Sequence, residues 1–233
     1  AVEDCLITNE TLNEVRRALE PALRDVGDAD VILQTAGDGE VVVTIRPEEY
    51  VHKAPPSLEE FTQTLEGNRL IRGLRLVTSG EHRVWGDTTV DASEVLAYPP
   101  VEGARVSSLG FRQVFPAVNR MVVDEVAEIA ESFGAKSVLE LFSGHGNIAF
   151  GLPENVKRLV GLEASADAVE SAQGLADVAE RPTFQFEVAD LSDGFLEAFD
   201  HAPQQFDLVV LDPPREGALP VARELAQYDH FEA

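Results

Sequence analysis

Two patterns of apolar positions succeed each other along the chain, and they change near residue 107. In the first, Leu12, Val15, Leu19 and Leu23 recur at helical spacing, which predicts a helix over 11–23 with Thr8 or Asn9 able to cap it. Strand-like runs at 30–34 and 40–46 flank Ala36-Gly37-Asp38-Gly39, a hairpin signal. Residues 58–65 predict a short helix opened by Ser57, and 70–78 with 82–90 a second strand pair turned at Ser79-Gly80. Helix, hairpin, helix, hairpin describes a small open-faced α+β domain over 1–107, in which nothing has the pattern of a catalytic site. Residues 98–105, opened by Tyr98-Pro99-Pro100, read as a linker.

From Phe111 onward the pattern becomes α/β. A helix is predicted over 117–133, then a strand over 137–142 followed by a glycine loop and a short helix. A strand follows at 158–162, a helix at 166–179 with Ser165 able to cap it, and a strand at 183–188. A fourth strand at 206–211 and a helix at 219–227 complete the series. Alternation of this kind predicts a parallel sheet with right-handed crossovers, a Rossmann-like α/β domain over 108–233.

Composition narrows the setting. Of the 233 residues, 44% are hydrophobic, enough for real cores, and no apolar run approaches the length of a membrane span. No signal peptide is visible, and a chain that opens on Ala1 rather than Met is expected to be a piece of a longer protein. The single cysteine, Cys5, excludes an internal disulfide framework, and a cytoplasmic protein is the default expectation; a monomer is expected as well. The net charge is −24, and Lys53, Lys136 and Lys157 are the only lysines. An acidic solvated surface, suited to high salt or to solubility, accounts for this charge, which argues against a dense set of phosphate contacts. A local basic patch stays compatible with it, because net charge does not fix how charge is distributed.

The chemistry concentrates where predicted strands end. Asp212-Pro213-Pro214-Arg215 follows the fourth strand, and two prolines force the chain out of the sheet at a stiff corner. Glu140-Leu141-Phe142-Ser143-Gly144-His145-Gly146-Asn147 ends the first strand; Gly144-x-Gly146-x-x-Ala149 fits a loose dinucleotide fingerprint. Glu163 ends the second strand, where an acid can accept both ribose hydroxyls of an adenosine, and Asp190 ends the third, within reach of an adenine amino group. Glu140 is placed to meet a cationic ligand or an ammonium group. Each acid alone also reads as a helix cap or a solvated loop residue; three at successive strand ends around one glycine loop point to a ligand. Glu140 and the Asp-Pro-Pro-Arg corner have no use in a nicotinamide dinucleotide site, whereas the sulfonium and ammonium of S-adenosylmethionine suit an acidic crevice. His145 reads as a surface loop residue, and Trp85 as core or interface. Arg72, Arg75 and Arg83 are candidate RNA contacts, although arginines on a sheet need no such role.

These motifs resemble those of the RNA 5-methyluridine methyltransferases that act on tRNA and 23S rRNA. The likeness lies in Leu139 to Asn147, in Asp212-Pro213-Pro214-Arg215-Glu216-Gly217, and in Phe111-Arg112-Gln113-Val114 continued by Val118-Asn119. The family has Asn where this chain has Phe115. The resemblance runs from about Cys5 onward and implies S-adenosylmethionine as cofactor and RNA as substrate. It implies a cofactor site of Gln113, Glu140, Phe142, Ser143, Gly144, Gly146, Asn147, Glu163, Asp190 and Asp212, with Asp212 and Arg215 also facing the uridine. Methyltransferases of exocyclic amines carry an aromatic residue after the two prolines, so Arg215 argues against that substrate class.

The resemblance also implies covalent chemistry. C5 of uracil is a poor nucleophile; the family adds a cysteine thiolate to C6, transfers the methyl to the enolate-like C5, removes the C5 proton with a general base and eliminates the cysteine. Its cysteine follows a fifth strand, and no such segment occurs here. His230-Phe231-Glu232-Ala233 resembles the family's C-terminal His-x-Glu motif, which would make Glu232 the base. The expectation is that a cysteine-bearing segment belongs between Gln227 and His230 and is missing from this chain. The alternatives are a chance tail, a catalytically inactive cofactor- and RNA-binding protein, or a methyltransferase of another substrate. Asp4-Cys5-Leu6-Ile7 resembles the segment that supplies the last cysteine of a [4Fe–4S] cluster in the rRNA branch; one cysteine cannot hold a cluster, so Cys5 is expected to be an ordinary buried thiol in this chain and an iron–sulfur ligand only in a full-length protein with further cysteines upstream.

Overall fold

The structure is a computed structural model that describes residues 9–23, 29–47, 68–78, 82–113, 115–195 and 205–227. Cys5, the predicted helix at 58–65, the Ser79-Gly80 turn and Glu232 lie outside the described residues. The chain forms two compact units, Ala1–Glu94 and Val95–Ala233. Residues 95–107, grouped by the sequence pattern with the first half, cluster with the second.

In the first unit, Asn9 opens helix α1 (Glu10–Leu23): its Oδ1 accepts the Leu12 N–H at 2.8 Å, satisfying one of the free donors of the first turn. Strands β1 (Ala29–Thr35) and β2 (Val41–Pro47) form the predicted hairpin, antiparallel with Thr35 opposite Val41. Strand β3 (Ile71–Val77) pairs antiparallel with β4 (His82–Gly86). The two hairpins join through a parallel β2–β3 pair, giving the order β1-β2-β3-β4. Val15 and Leu19 of α1 are fully covered by Val41, Val43, Ile45, Leu74 and Leu76, so one helix closes one face of the sheet. A short strand β5 (Thr89–Asp91) follows.

Two of the arginines considered for RNA are occupied. Arg72 Nε donates to Asp87 Oδ2 at 2.9 Å, and its Nη1 reaches Glu40 Oε2 at 3.0 Å and Asp38. Arg75 is buried, with Nη2 donating to Thr88 Oγ1 at 2.8 Å. Of the three, Arg83 has an exposed side chain.

In the second unit, β6 (Arg105–Ser107) precedes α2 (Pro116–Ser132), β7 (Ser137–Leu141), β8 (Arg158–Glu163), α3 (Ala166–Val178), β9 (Phe184–Val188), β10 (Leu208–Leu211) and α4 (Leu219–Leu225). The strands make one fully parallel sheet in the order β10-β7-β8-β9, as the alternation predicted. Leu139, Leu141, Val160 and Leu162 bury one face against Phe195, Phe206 and Val221 of α4. Ser165 caps α3 by accepting from Ala168 N at 3.4 Å. Asp207 pins β7 beside β10: its Oδ2 accepts from Lys136 N and Ser137 N, each at 2.9 Å. The short helix expected after the glycine loop is a 3-10 turn, Ala149–Gly151. Leu152 is extended and Pro153 follows it, so the turn stops there and no regular α-helix grows.

Candidate functional site

The strand order places a crevice. From β7 the chain runs outward to β8 and β9 on one side and returns across the sheet to β10 on the other, so the strand order reverses at β7. Ligands of open parallel sheets bind at such a switch point, outside the carboxyl ends of the strands. Glu140 lies in register with Gly161 on one side and Val210 on the other. The loop 142–147 therefore emerges beside Asp212, with Glu163 ending the next strand and Asp190 following β9.

The loop is built by unusual backbone. Phe142 adopts φ 65°, rare for a bulky residue and a form of strain that surroundings must hold in place. Gly144 and Gly146 follow at φ 53° and 82°. A Cβ on Gly144 would meet nothing within 4 Å, so the chain is open to a ligand at that point. A Cβ on Gly146 would stand 2.7 Å from Phe150 Cε2 and 3.2 Å from Phe186 Cζ, so the next glycine is needed for packing.

Glu163 holds this loop at the end of β8. Its Oε2 accepts the Gly144 N–H at 3.0 Å and its Oε1 the Ser165 N–H at 2.8 Å. A carboxylate offers about four lone-pair directions, so two remain for a diol. Asp190 is exposed; Ser192 N–H, at 3.0 Å from Oδ1, holds its carboxyl below the usual range. Asp212 opens to solvent, yet partial desolvation by the surrounding walls raises its pKa. Pro213, Pro214 and Arg215 are exposed beside it, and Gly217 N donates to Pro214 O at 2.8 Å to close the corner.

Glu140 is the deepest of the acids. It is 2% exposed on the sheet face opposite Leu139 and Leu141. Burial pushes its pKa up to about 8 against the pull of the Ala149 N–H; the Asp212 charge adds to the rise and the Ile148 N–H opposes it. Its Oε2 and the Oγ of neighbouring Ser143 are buried without a hydrogen-bond partner. Buried polar atoms of this kind call for a partner from a ligand or ordered water. An acid, a hydroxyl and an open glycine on one loop fit a small cationic, nucleoside-bearing ligand.

One residue departs from the sequence reading. His145 is not a surface loop residue: it is 3% exposed, because Gly110 covers it so closely that a Cβ there would lie 2.6 Å from His145 Cε1. Burial lowers its pKa, with the backbone of Ser107 and the charge of Glu163 opposing. Asn147 uses its side chain within the protein: Oδ1 accepts from Ala97 N at 2.9 Å, and Nδ2 donates to Asn119 Oδ1 at 2.7 Å. Gln113 is half-buried in the segment before α2. Phe115, where the resembled family has Asn, is the N-cap of α2; it is 68% exposed and gives no side-chain cap, leaving Pro116 to start the helix. Among the described residues, no group of three or more His, Cys, Asp or Glu could hold a metal ion, and no helix is long and apolar enough to cross a membrane.

The chain is similar to known proteins. A family profile described as a methyltransferase domain matches residues 132–227. The chain is 28% identical to the 23S rRNA (uracil(1939)-C(5))-methyltransferase RlmD of Pseudomonas aeruginosa, over 97% of this chain and 49% of that protein. It is 38% identical to the protein of the same name from Pseudomonas fluorescens over 50% of this chain and 26% of the relative. The chain thus spans about half the length, or less, of the curated relatives it matches. In structure it resembles the Pyrococcus abyssi tRNA (uracil-54, C5)-methyltransferase crystallised with S-adenosyl-L-homocysteine, with a TM-score of 0.61 and 18% identity over 97% of this chain and 57% of that one. The fold is that of the S-adenosylmethionine-dependent methyltransferases, preceded by a small β-rich unit. The resemblance to the uracil-C5 RNA methyltransferases that the motifs carried is borne out.

Proposed function

We propose that this chain is the central and cofactor-binding part of an S-adenosylmethionine-dependent methyltransferase that forms 5-methyluridine in ribosomal RNA. The observation that carries this reading is the convergence of Glu140, the loop 142–146, Glu163 and Asp212 on the switch point between β7 and β10. Glu163 would receive the ribose hydroxyls on the lone pairs that Gly144 and Ser165 leave free. Asp190 would meet the adenine and Gln113 would flank the crevice. Glu140 and Ser143 would face the amino-acid end, where their unpartnered oxygens lie. Asp212 and Arg215 would face the uridine, and the domain over 1–107 would help to present the RNA. When bound, the cofactor supplies an electrophilic methyl on a sulfonium.

The uracil C5 reaction also needs a thiolate to add to C6. The one cysteine of these 233 residues is Cys5. The nucleophile would therefore be supplied from outside this sequence, with Glu232 as the base that removes the C5 proton. That same cysteine count favours a second reading for the chain by itself, cofactor and RNA binding without turnover.

Calorimetric titration with S-adenosyl-L-homocysteine tests the site, and transfer of labelled methyl from S-adenosylmethionine to a 23S rRNA fragment by the full-length protein tests the activity. Binding lost in Glu163→Ala and Glu163→Gln with melting unchanged, and 5-methyluridine as the labelled nucleoside, are the expected results. Unchanged binding in both variants would sink the cofactor assignment. A label on an exocyclic amine would sink the uracil assignment.

A further inference from the structure

The parallel sheet is sorted by charge along its strands. Lys136 precedes β7, which carries Glu140 near its far end; Lys157 and Arg158 open β8, which ends on Glu163; Arg181 precedes β9, and Asp190 follows it. The acids line the crevice at the carboxyl ends, and the cations collect at the amino ends. The backbone joins them there: Lys157 N and Arg158 N donate to Lys136 O at 2.7 and 3.0 Å, and Phe184 N, beside Leu159 of β8, donates to Arg181 O at 3.0 Å. Two of the three lysines of the chain are in this group.

Carboxylates outnumber Lys and Arg by 42 to 18, yet among the described residues none of these four side chains forms an ion pair. Lys136 and Lys157 are exposed, and Lys157 Nζ donates to a neutral carbonyl, Glu154 O, at 2.6 Å. Arg158 and Arg181 stand 4.6 Å and 5.0 Å from the ring centres of Phe206 and Phe184, contacts that do not consume the guanidinium N–H donors. Asp207 enters β10 at the same end, but its Oδ2 is taken by Lys136 N, Ser137 N and Ser137 Oγ, each at 2.9 Å; Lys136 acts on it as a charge without an ion pair. Glu154 and Glu180 are exposed in the adjoining loops, so the patch suits a few phosphates and not a dense row.

We propose that the amino end of this sheet is a second RNA contact, where Lys136, Lys157, Arg158 and Arg181 hold phosphates of the RNA whose uridine enters the crevice at the opposite end. This rests on the RNA reading above. Strands of five and six residues, rising about 3.3 Å per residue, separate the two ends by roughly 17–20 Å. A short oligonucleotide seated in the crevice does not reach the cations; a folded ribosomal RNA segment lying along the domain reaches both ends. Phosphate contacts read no bases, so this surface adds affinity and orientation without choosing the uridine. The sorting serves both ligands: acids meet the cationic cofactor at one end, and cations meet the RNA backbone at the other.

The test is fluorescence anisotropy of a folded 23S rRNA fragment with the full-length protein between 50 and 200 mM salt, for the natural protein, Lys136→Gln/Lys157→Gln and Lys136→Arg/Lys157→Arg. The Gln variant should weaken binding at least about tenfold at the lower salt, and its log–log salt slope should be shallower by about 1.4–1.8, the share of two phosphate contacts. The Arg variant should keep natural affinity and slope. Calorimetric binding of S-adenosyl-L-homocysteine, and methyl transfer to a short uridine-bearing oligonucleotide, should be unchanged in both. Natural affinity and slope in the Gln variant, or an equal loss in the Arg variant, would overturn the proposal while leaving the uracil reading intact. Binding to vesicles of anionic lipid that is lost in the Gln variant while RNA binding is kept would also overturn it, in favour of a membrane surface. Binding of the fragment with the expected salt response but no methylated uracil would sink the uracil reading and leave this contact standing. Failure of the natural protein to bind the fragment would overturn the two together.

Discussion

Asn119 and Asn147 exchange both of their side-chain hydrogen bonds: Asn147 Nδ2 donates to Asn119 Oδ1 at 2.7 Å, and Asn119 Nδ2 donates to Asn147 Oδ1 at 3.1 Å. Asn119 is 5% exposed on α2, and the same Asn147 oxygen accepts from Ala97 N. The pair ties the glycine loop to the helix before the sheet. Replacing Asn119 leaves Asn147 Nδ2 without its acceptor, and replacing Asn147 leaves the buried Asn119 amide without its partner, a loss of about 1–3 kcal/mol. Asn119→Ala should lower the melting temperature by several degrees and weaken S-adenosylhomocysteine binding, because the loop loses its brace. The double variant Asn119→Ala/Asn147→Ala should cost less than the sum of the singles in a double-mutant cycle. Strict additivity would show that the two amides do not act as a pair.

Gly146 sets a harder limit. At φ 82°, with Phe150 2.7 Å and Phe186 3.2 Å from an added Cβ, Gly146→Ala meets both strain and collision. The expected loss is about 2–4 kcal/mol, from positive-φ strain together with overpacking. Gly144→Ala carries the backbone strain alone, since nothing lies within 4 Å of its added Cβ. Urea unfolding of the two variants should therefore rank Gly146→Ala as the more destabilised and Gly144→Ala as the one that loses more ligand affinity per unit of stability. The reverse order would mean that the open side of the loop does not face the ligand.

The contrast between these pairs shows what the sequence made legible. Asn9, Ser165 and the Asp-Pro-Pro-Arg corner act on residues within a few positions, so spacing alone revealed them. The acids at the ends of β7 and β8 and after β9 were legible because a parallel sheet brings successive strand ends together. The reciprocal amide pair joins positions 28 apart, and His145 is buried by Gly110 from 35 positions away. A lone Asn or His on a glycine loop gives no sign of such a partner. The short helix expected after the glycine loop is a single 3-10 turn, Ala149–Gly151, cut off by the extended Leu152 before Pro153.

Two buried groups on either side of Gly144 titrate with opposite signs. His145 is held below its ordinary pKa by burial, so the unfolded chain binds the proton first as pH falls below about 6.5. Stability from that group is lost on acidification. Glu140 is raised from 4.5 to about 8, so the folded chain holds a proton that the unfolded chain has released across that interval. Its contribution is fully present below 4.5 and is lost as pH rises through 8. Unfolding free energy measured from pH 5 to pH 9 should pass through a maximum. His145→Gln should lift the acid side, and Glu140→Gln should flatten the alkaline side. A profile unchanged by either substitution would place the titration elsewhere.

The acidic surface can be tested on one helix. The second half of α2 exposes Asp124, Glu125, Glu128 and Glu131 at spacings of three and four, and its last turn has no basic residue. Like charges at these spacings repel, and carboxylates near a helix C-terminus also oppose its dipole. Glu128→Lys replaces a repulsive neighbour of Asp124, Glu125 and Glu131 with an attractive one and should stabilise by about 0.3–1 kcal/mol at low salt. Screening lengths fall from about 10 Å at 0.1 M to about 3 Å at 1 M, so the gain should shrink as salt is added while the melting temperature of the natural chain rises. The natural chain and Glu128→Lys should therefore melt at nearly the same temperature in 1 M sodium chloride. A gain of equal size at both salt concentrations would assign it to helix propensity or packing, not to relief of charge repulsion.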